Sequence, residues 1–410
     1  MLGLVLTAGG ARGAYQAGVL KRISEIPALR ERPQPFEIIA GASAGAINGA
    51  ILGAQSDGFG PAAAEVARVW AQLSVERVFR TDPLAMLLGG AGLLRDFTVG
   101  SLLGWTATHG LLDASPLAAL LERALPPNGI RSAIEAGRVY AVAVTATSYH
   151  SGRSYIFIQG RQGHAIWRKS RRVVLPVTLT HQHIFASAAI PLVFPPVRID
   201  SAGPELWFGD GGLRLTTPLS PAIRLGASRL LAIGVRSSRA ADALAQEEAG
   251  AGPPQPCPPL AQICGVFLNA IFLDHLDTDL DHLRRMNELV AAQAQQGNGV
   301  LEPMRIVTPL VVSPSEDLAL VAQRFAHRMP RLLRFMLDGL GTPDAQSADL
   351  MSYLLFDSAY TSALVEIGYA DAGARIGEIE QLILGFRASS AEVDGQVLGP
   401  AEEAHLLPPH

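Results

Sequence analysis

The sequence predicts an α/β fold: a three-layer sandwich with a central mixed, mainly parallel sheet, followed by a helical C-terminal region. Segments 2–7 and 37–42 are continuous apolar runs, which is typical of strands whose sheet is covered by helices on both faces. A helical stretch, 14–26, separates these segments and ends at Pro27. The chain therefore opens with a βαβ unit, for which we expect a right-handed crossover.

Length and composition restrict the class of protein. The chain has 410 residues, of which 49% are hydrophobic and 17% are charged. We therefore expect a folded globular protein with one large domain or two. The formal net charge is −4, and no block of Lys or Arg stands out. Since nucleic-acid binding needs a basic surface, we expect no nucleic-acid partner.

The cysteines and the apolar segments bear on the cellular compartment. Cys257 and Cys264 have no companions in a metal-ligand pattern, and we interpret them as free thiols in a reducing compartment. The N-terminus shows no charged leader followed by an apolar run and a cleavage site. No uncharged apolar stretch reaches the about 20 residues of a membrane-spanning helix. We expect a soluble cytoplasmic protein with at most peripheral membrane association.

The rest of the first 235 residues gives alternating signals for helices and strands. Helices are predicted at 61–72, 113–125 and 219–225, and strands at 138–148, 154–158, 205–208 and 229–235. Pro61 in a first turn and the capping segment 113–116 support two of these helices. The apolar segment 83–105 is either a lid over a binding site or part of the core.

From residue 236 onward the composition changes. Segment 236–260 is rich in Ala, Gly, Glu and Pro, as surface linkers are. Region 261–410 is then mainly helical, with helices predicted at 261–296, 317–338, 346–365 and 371–386 and one strand at 304–312. We therefore expect a first unit at 1–235, a linker, and a helical region packed on the first unit.

A candidate nucleophile lies at the end of the second predicted strand. Ser43 is the centre of Gly41-Ala-Ser-Ala-Gly45, between an apolar strand and a helix of small residues. A serine at such a turn projects beyond its neighbours, and glycines two residues away relieve the crowding. The N-terminus of the following helix offers N–H groups to a developing anion. The alternative is a turn of small residues that only packs against the sheet.

The glycine-rich segment Ala8-Gly-Gly-Ala-Arg-Gly13 follows the first strand and offers several backbone N–H groups in one concavity. A dinucleotide-binding loop would need glycine in place of Ala8 and an acidic residue at the end of the second strand, where this chain has the Ser43 turn. A Walker loop would need a Lys-Ser/Thr pair that this segment lacks. We therefore interpret the segment as an oxyanion hole.

Asp210 is the candidate base. It lies between Gly209 and Gly211, directly after the short strand 205–208, and the flanking glycines allow its loop to approach another loop closely. A carboxylate in a partly dry pocket gains proton affinity and can take the proton of a serine hydroxyl directly. The alternatives are a turn-forming Asp and a histidine base. A histidine base would be expected in a glycine-rich turn after a strand. None of the following candidate histidines lies in such a turn: His181, His183, His275, His282, His405 and His410.

Taken in order, the segments 8–13, 41–45 and 210–212 resemble the three signatures of the patatin-like phospholipases. The segment Ala186-Ser-Ala-Ala-Ile-Pro191, with Phe194-Pro-Pro196, is similar to a fourth block that shapes the pocket in that family. The resemblance covers roughly residues 1–235. That family usually has glycine where this chain has Ala8, whose methyl group is tolerated if the residue has a negative φ.

The resemblance implies a Ser–Asp dyad. Ser43 would attack an ester carbonyl carbon, Asp210 would accept the serine proton, and an acyl-enzyme would form and be hydrolysed. An oxyanion hole is implied at the backbone of Gly9, Gly10, Ala11 and Arg12. The supporting glycines of the motifs are Gly13, Gly41, Gly45, Gly211 and Gly212.

We therefore expect a lipid acyl hydrolase that cleaves carboxylic esters of phospholipids or lysophospholipids and needs neither a metal nor a diffusible cofactor. Acidic residues between 277 and 288 have the spacing of a calcium loop, but His282 stands where that loop requires glycine. Two alternatives stay open: a histidine-dependent serine esterase or acyltransferase, and a non-catalytic module that binds lipid or nucleotide. The expected partners are the lipid substrate and, transiently, a membrane surface; the sequence leaves the oligomeric state open.

Overall fold

A mixed β-sheet forms the centre of the computed structural model, which describes residues 1–80, 112–167, 171–200, 205–237, 260–272, 275–295, 305–330, 334 and 348–385. Within these residues the strands are β1 (Leu2–Leu6), β2 (Ile38–Ala42), β3 (Ala141–Ser148), β4 (Ser154–Gly160), β5 (Arg172–Pro176), β6 (Val197–Ile199), β7 (Leu206–Gly209), β8 (Arg229–Ile233) and β9 (Thr308–Val312). The segment 83–105, nearly all of the predicted linker, Cys257 and the two C-terminal histidines lie outside the described residues.

The strand order across the sheet is β5-β4-β3-β2-β1-β8-β9, and β7 pairs with both β3 and β6. Parallel pairs join β1 to β2 and β8, β2 to β3, β4 to β5, and β8 to β9. Strand β3 runs antiparallel to β4 and β7, and β6 runs antiparallel to β7. The predicted mixed, mainly parallel sheet is therefore confirmed. Because β1 and β2 are parallel neighbours, the loops that follow them meet at one edge of the sheet.

Helices cover both faces of this sheet. They are α1 (Ala14–Ser24), α2 (Ala44–Ala54), α3 (Phe59–Ala71), α4 (Val75–Val78), α5 (Ser115–Ala124), α6 (Gly129–Glu135), α7 (His181–Ser187), α8 (Ser220–Leu225), α9 (Leu260–Phe272), α10 (His275–Gln295), α11 (Leu318–Arg324), α12 (Ala348–Leu354), α13 (Ser358–Ala374) and α14 (Ile376–Leu384). None of these described helices combines the length and the apolar character that crossing a membrane requires.

Two apolar cores, one on each face of the sheet, produce the three layers. Side chains alternate along β1, so Leu4 and Leu6 enter one core while Val5 enters the other. The first core packs against α1, α2, α3 and α13, and the second against α8 and α10. This arrangement confirms the predicted α/β sandwich. Residues 277–288, whose acids have the spacing of a calcium loop, lie within helix α10.

Helix α7 and strands β5 and β6 are absent from the sequence prediction. Helix α7 begins with a capping box between Thr180 and His183, in which histidine takes the place of the usual Glu or Gln. The helix predicted at 346–365 is interrupted between α12 and α13. The reason is that the Asp357 carboxylate accepts a hydrogen bond from the backbone N–H of Ala359 and so begins a new helix.

The C-terminal helices pack directly on the N-terminal part of the chain. Gly18 of α1 lies against the backbone carbonyl of Val365, and Gly368 of α13 lies against the backbone carbonyl of Tyr15. A glycine on each helix therefore lets the two backbones cross in direct contact. Strand β9 extends the central sheet beside β8. The division of the chain at residue 235 stays a prediction.

Candidate active site

Ser43 lies at the sharp turn between β2 and α2. Its backbone has φ 54° and ψ −127°, a sparsely populated region for a residue with a side chain. The flanking glycines are required by close backbone contacts: a Cβ at Gly41 would overlap the carbonyl of Gly45, and a Cβ at Gly45 would overlap the carbonyl of Leu6. The turn therefore stores local strain and is held in place by the strands on which it rests.

Asp210 follows β7 and faces Ser43. The hydroxyl of Ser43 donates a hydrogen bond to Oδ2 of Asp210 at 2.6 Å, and the N–H of Gly212 donates to Oδ1 at 2.7 Å. Gly211 lies against the backbone carbonyl of Thr145 in β3. The structure therefore brings the two residues singled out in the sequence, which are 167 positions apart, into direct contact.

The protonation of Asp210 is set by its burial. The side chain is fully buried, and the loss of water raises the pKa of its carboxyl group to about 7, against the opposing effect of the hydrogen bonds from Ser43 and Gly212. A carboxyl group with such a pKa exchanges a proton readily near neutral pH. This arrangement can therefore take a proton from the serine and return it.

Ser187, at the end of α7, braces the serine turn. Its hydroxyl accepts a hydrogen bond from the backbone N–H of Ser43 at 2.9 Å and donates to the carbonyl of Thr145 at 2.6 Å. Nearby, the N–H of Asp210 donates to the carbonyl of Ala189 at 2.9 Å. The segment 186–191 thus holds both residues of the pair. The sequence marked this segment through the family resemblance but gave no signal for these individual contacts.

The glycine-rich loop after β1 contributes backbone N–H groups to the site. Gly10 has φ +55° and sits against the backbone carbonyl of Tyr353, so this position requires glycine. The N–H of Arg12 donates to the carbonyl of Gly9 at 3.1 Å and is therefore occupied. Among the described residues, the N–H groups of Gly9, Gly10 and Ala11 have no acceptor. Ala8 has no positive φ, so its methyl group adds no strain.

The other predicted motif residues have packing roles. A Cβ at Gly13 would meet the side chains of Ala44 and Trp70, and a Cβ at Gly9 would meet that of Val235. Gly212 lies under the ring of Phe272 in α9. These glycines therefore let the three loops approach the sheet and α9 closely.

The side chain of Arg12 contacts helix α12. Its Nε donates to the hydroxyl of Ser352 at 2.7 Å, a terminal nitrogen donates to Asp349 at 2.9 Å, and the guanidinium lies 4.6 Å from the ring centre of Tyr353. All three partners belong to helix α12. The buried arginine therefore fixes the glycine-rich loop to the C-terminal region, a connection that no local sequence pattern indicates.

Two cavities meet at Ser43, and both border on Gly10, Ser43 and Ile190. The wide cavity, of about 340 Å³, lies between α9, α12 and the turn 190–193. The narrow cavity, of about 40 Å³, extends between α2, α3 and α5. No histidine is among the described residues that line either cavity.

His183 instead contacts Thr180 and the ring of Phe157, and burial lowers its pKa to about 4.

The three-layer sandwich has a serine turn after the second strand of its sheet and an Asp-Gly-Gly turn after the seventh. These features define a patatin-like α/β protein. The sequence matches the family described as patatin-like phospholipase over residues 4–223, which is more than half of the chain. The protein therefore belongs to the patatin-like phospholipase family. No curated protein matches the chain.

Solved structures with overall likeness are distant. VipD from Legionella pneumophila is 11% identical, with a TM-score of 0.32 over 92% of this chain and 66% of that chain. Human GIVD cytosolic phospholipase A2, in complex with methyl gamma-linolenyl fluorophosphonate, is 14% identical, with a TM-score of 0.40 over 94% of this chain and 58% of that chain. The type III effector ExoU is 13% identical, with a TM-score of 0.27 over 95% and 60%. The chain spans less than two thirds of the length of these proteins.

Proposed function

We propose that the protein hydrolyses carboxylic esters of phospholipids or lysophospholipids, with Ser43 as nucleophile and Asp210 as base. The observation that carries this proposal is the 2.6 Å hydrogen bond from the serine hydroxyl to the buried carboxylate. Membership in the patatin-like phospholipase family supports the class of substrate. The proposed enzyme uses no metal and no diffusible cofactor.

The first step is acylation. The ionised Asp210 takes the proton of the Ser43 hydroxyl while the serine oxygen bonds to the ester carbonyl carbon, and the carbonyl oxygen becomes an oxyanion. The free N–H groups of Gly9, Gly10 and Ala11 and the N-terminus of α2 are the donors for this charge. We assign the oxyanion hole to these groups rather than to Arg12, because the N–H of Arg12 already donates to Gly9.

The second step releases the alcohol, and the third restores the enzyme. As the tetrahedral intermediate collapses, the bond to the alcohol oxygen breaks and that oxygen takes the proton from Asp210. Water then attacks the acyl-enzyme, gives its proton to Asp210, and the carboxylic acid leaves as the Ser43 oxygen regains a proton. Each proton that Asp210 accepts is returned, so one carboxyl group serves both half-reactions.

The exposed apolar surface near the wide cavity supports contact with a lipid surface. Leu192 is 68% exposed and Phe267 is 64% exposed, and both line the mouth of the wide cavity. Ile263 and Val266 on the same helix are also more than half exposed. Since a phospholipid substrate resides in a lipid aggregate, we infer that this surface, residues 192, 263, 266 and 267, touches it during catalysis.

A direct test combines active-site labelling with a lipid panel. Wild-type protein is expected to release fatty acid from at least one phospholipid and to be labelled by a fluorophosphonate at Ser43. The variants Ser43→Ala and Asp210→Asn are expected to lose turnover by at least a thousandfold while keeping their circular dichroism spectra. Retained turnover in either folded variant would contradict the proposed roles.

The remaining alternatives give different results in the same assay. A histidine-dependent esterase would lose activity in a single histidine variant and keep it in Asp210→Asn. A module that binds lipid without cleaving it would fail to react with the fluorophosphonate at Ser43.

A further inference from the structure

The two cavities at Ser43 differ in width but share one chemical character. The narrow cavity is walled by aliphatic and aromatic side chains, among them Ile47, Trp70 and Leu117. The walls of the wide cavity include Leu268 and Leu354. A substrate bound across Ser43 therefore meets an apolar wall on each side of its reacting carbonyl.

Charged groups are scarce in both cavities. Asp210 is the one charged side chain among the described residues that line them. The hydroxyl of Tyr353, which also borders the wide cavity, donates to the side-chain oxygen of Asn269 at 3.0 Å. The nearby guanidinium of Arg12 is turned toward Asp349. A phosphate or ammonium group inside either cavity would therefore lose its water without gaining a described partner of opposite charge, which costs free energy.

The position of Asp210 indicates which cavity receives the alcohol part of the ester and which receives the acyl part. The departing alcohol oxygen has to receive its proton from Asp210, so the alcohol part of the ester leaves on the side of that carboxyl group. Asp210 lines the wide cavity and not the narrow one. The alcohol part therefore occupies the wide cavity, and the carbonyl end of the acyl chain that becomes bonded to Ser43 faces the narrow one.

We propose that this enzyme selects esters whose alcohol part carries a long hydrocarbon chain, that is, diacyl glycerolipids in preference to lysolipids. The narrow cavity, at about 40 Å³, is too small for a whole chain, so only the carbons next to the reacting carbonyl of one acyl chain enter it. The second chain, attached to the glycerol, enters the wide cavity. Its volume of about 340 Å³ lies within the range of ligand pockets. The polar head group stays at the open mouth beside Leu192 and Phe267. This selection rests on the proposed function, since it assumes that Ser43 is acylated.

A first test uses wild-type enzyme and soluble esters below their aggregation concentration. In octanoate esters of methanol, butanol and octanol, kcat/KM is expected to rise by about two- to fourfold for each added methylene group until the cavity is filled. In mixed micelles of one detergent, dipalmitoyl phosphatidylcholine is expected to be cleaved at least tenfold faster than its 1-palmitoyl lyso form. A flat or falling series, or equal cleavage of the two lipids, would overturn the proposal.

A second test assigns each cavity to one side of the ester. Octyl acetate and methyl nonanoate contain the same atoms but place the long chain on opposite sides of the carbonyl. Leu268→Trp narrows the wide cavity and is expected to lower the kcat/KM ratio of octyl acetate to methyl nonanoate at least tenfold. Val69→Trp narrows the other cavity and is expected to raise that ratio. Both residues are half-buried, so a larger ring at either position can extend partly toward solvent and the variants are expected to fold.

A matched control separates cavity filling from general damage. Leu320→Trp adds the same ring at a position that is 55% exposed and lines neither cavity, and it is expected to leave the ratio unchanged. Opposite shifts in the two cavity variants would reverse the assignment and refute the direction derived from Asp210. Wild-type enzyme that cleaves none of the esters or lipids would instead refute the proposed hydrolysis itself, so the two failures are distinguishable.

Discussion

Ser43 and Asp210 share a hydrogen bond of 2.6 Å between two buried side chains, since the serine is 2% exposed and the aspartate 0%. The second carboxylate oxygen is held by the N–H of Gly212, so the carboxyl group has one fixed orientation. Burial raises its pKa to about 7, whereas an ordinary aspartate is a far weaker base. The contact therefore combines a positioned acceptor with enough proton affinity to activate a hydroxyl.

The pH dependence of catalysis follows from this pKa. The base must be ionised, so kcat/KM for a soluble ester is expected to rise with pH and to reach half of its maximum near pH 7. An unperturbed aspartate would give a midpoint near 4. The measurement is kcat/KM from pH 4 to 9 with an uncharged ester, in a range where the protein stays folded. A profile that is already flat above pH 5 would contradict a protonation-controlled Asp210.

The same pKa predicts that Asp210 destabilises the fold at neutral pH. Its folded-state pKa is raised, so the folded protein retains a proton that the unfolded chain releases above pH 4. Stability contributed by this group is thus present at low pH and lost as pH rises toward 7. Asp210→Asn removes this loss, so the variant is expected to be more stable than wild type at pH 8 by roughly 4 kcal/mol.

Denaturant unfolding of wild type and Asp210→Asn at pH 4 and pH 8 measures this effect. The stability difference is expected to shrink toward zero at pH 4, because the carboxyl group is then protonated in the folded state. The amide can keep the acceptor position for Gly212 and donate to the Ser43 oxygen, so both atoms that Asp210 contacts keep a hydrogen bond. A variant less stable than wild type at both pH values would refute the prediction.

Ser187 is expected to act as a positioning residue. Ser187→Ala leaves the buried N–H of Ser43 and the carbonyl of Thr145 without their shared partner, which costs about 1–3 kcal/mol of stability. Because the strained turn loses a support, kcat is expected to fall by about tenfold or more while KM for a soluble ester changes little. Ser187→Thr retains the hydroxyl and is expected to recover part of the lost kcat. An equal loss in both variants would indicate a packing defect instead.

Local signals in the sequence were sufficient to place Ser43 and Asp210 in sharp turns, because the glycines around them have to be near in sequence to shape each turn. Such signals also predicted β1 and β2 from their continuous apolar runs, and the helical stretch of α1 between them. They could not reveal the partners of these loops. Ser187 is 144 residues from Ser43, and Asp349 is 337 residues from Arg12, so only the folded chain brings them together. Strand β6, with three residues, is too short to show any periodicity.

The contact between Arg12 and helix α12 predicts a coupling between the C-terminal region and catalysis. Arg12→Lys cannot reach Ser352 and Asp349 together, since lysine lacks the forked guanidinium. We expect a loss of about 2 kcal/mol in stability and a tenfold lower kcat, because the loop that carries Gly10 becomes less well fixed. Asp349→Asn keeps a neutral acceptor and the bond to Ser352, so its kcat is expected to fall less. Equal kcat in Arg12→Lys and wild type would show that the loop needs no such anchor.

Contact of α9 with lipid aggregates is tested by two residues that lie outside both cavities. Ile263 and Val266 are 51% and 61% exposed, and replacing both with serine removes apolar surface without adding charge. The ratio of vesicle hydrolysis to hydrolysis of a soluble ester is expected to fall at least fivefold. The reason is that each of these two side chains, when inserted into the lipid surface, would contribute to the binding of the vesicle. Leu320→Ser is the matched control, since Leu320 is 55% exposed on α11. If the control lowers the ratio as much as the double variant, the effect comes from general loss of surface hydrophobicity, and α9 is not the lipid-facing element.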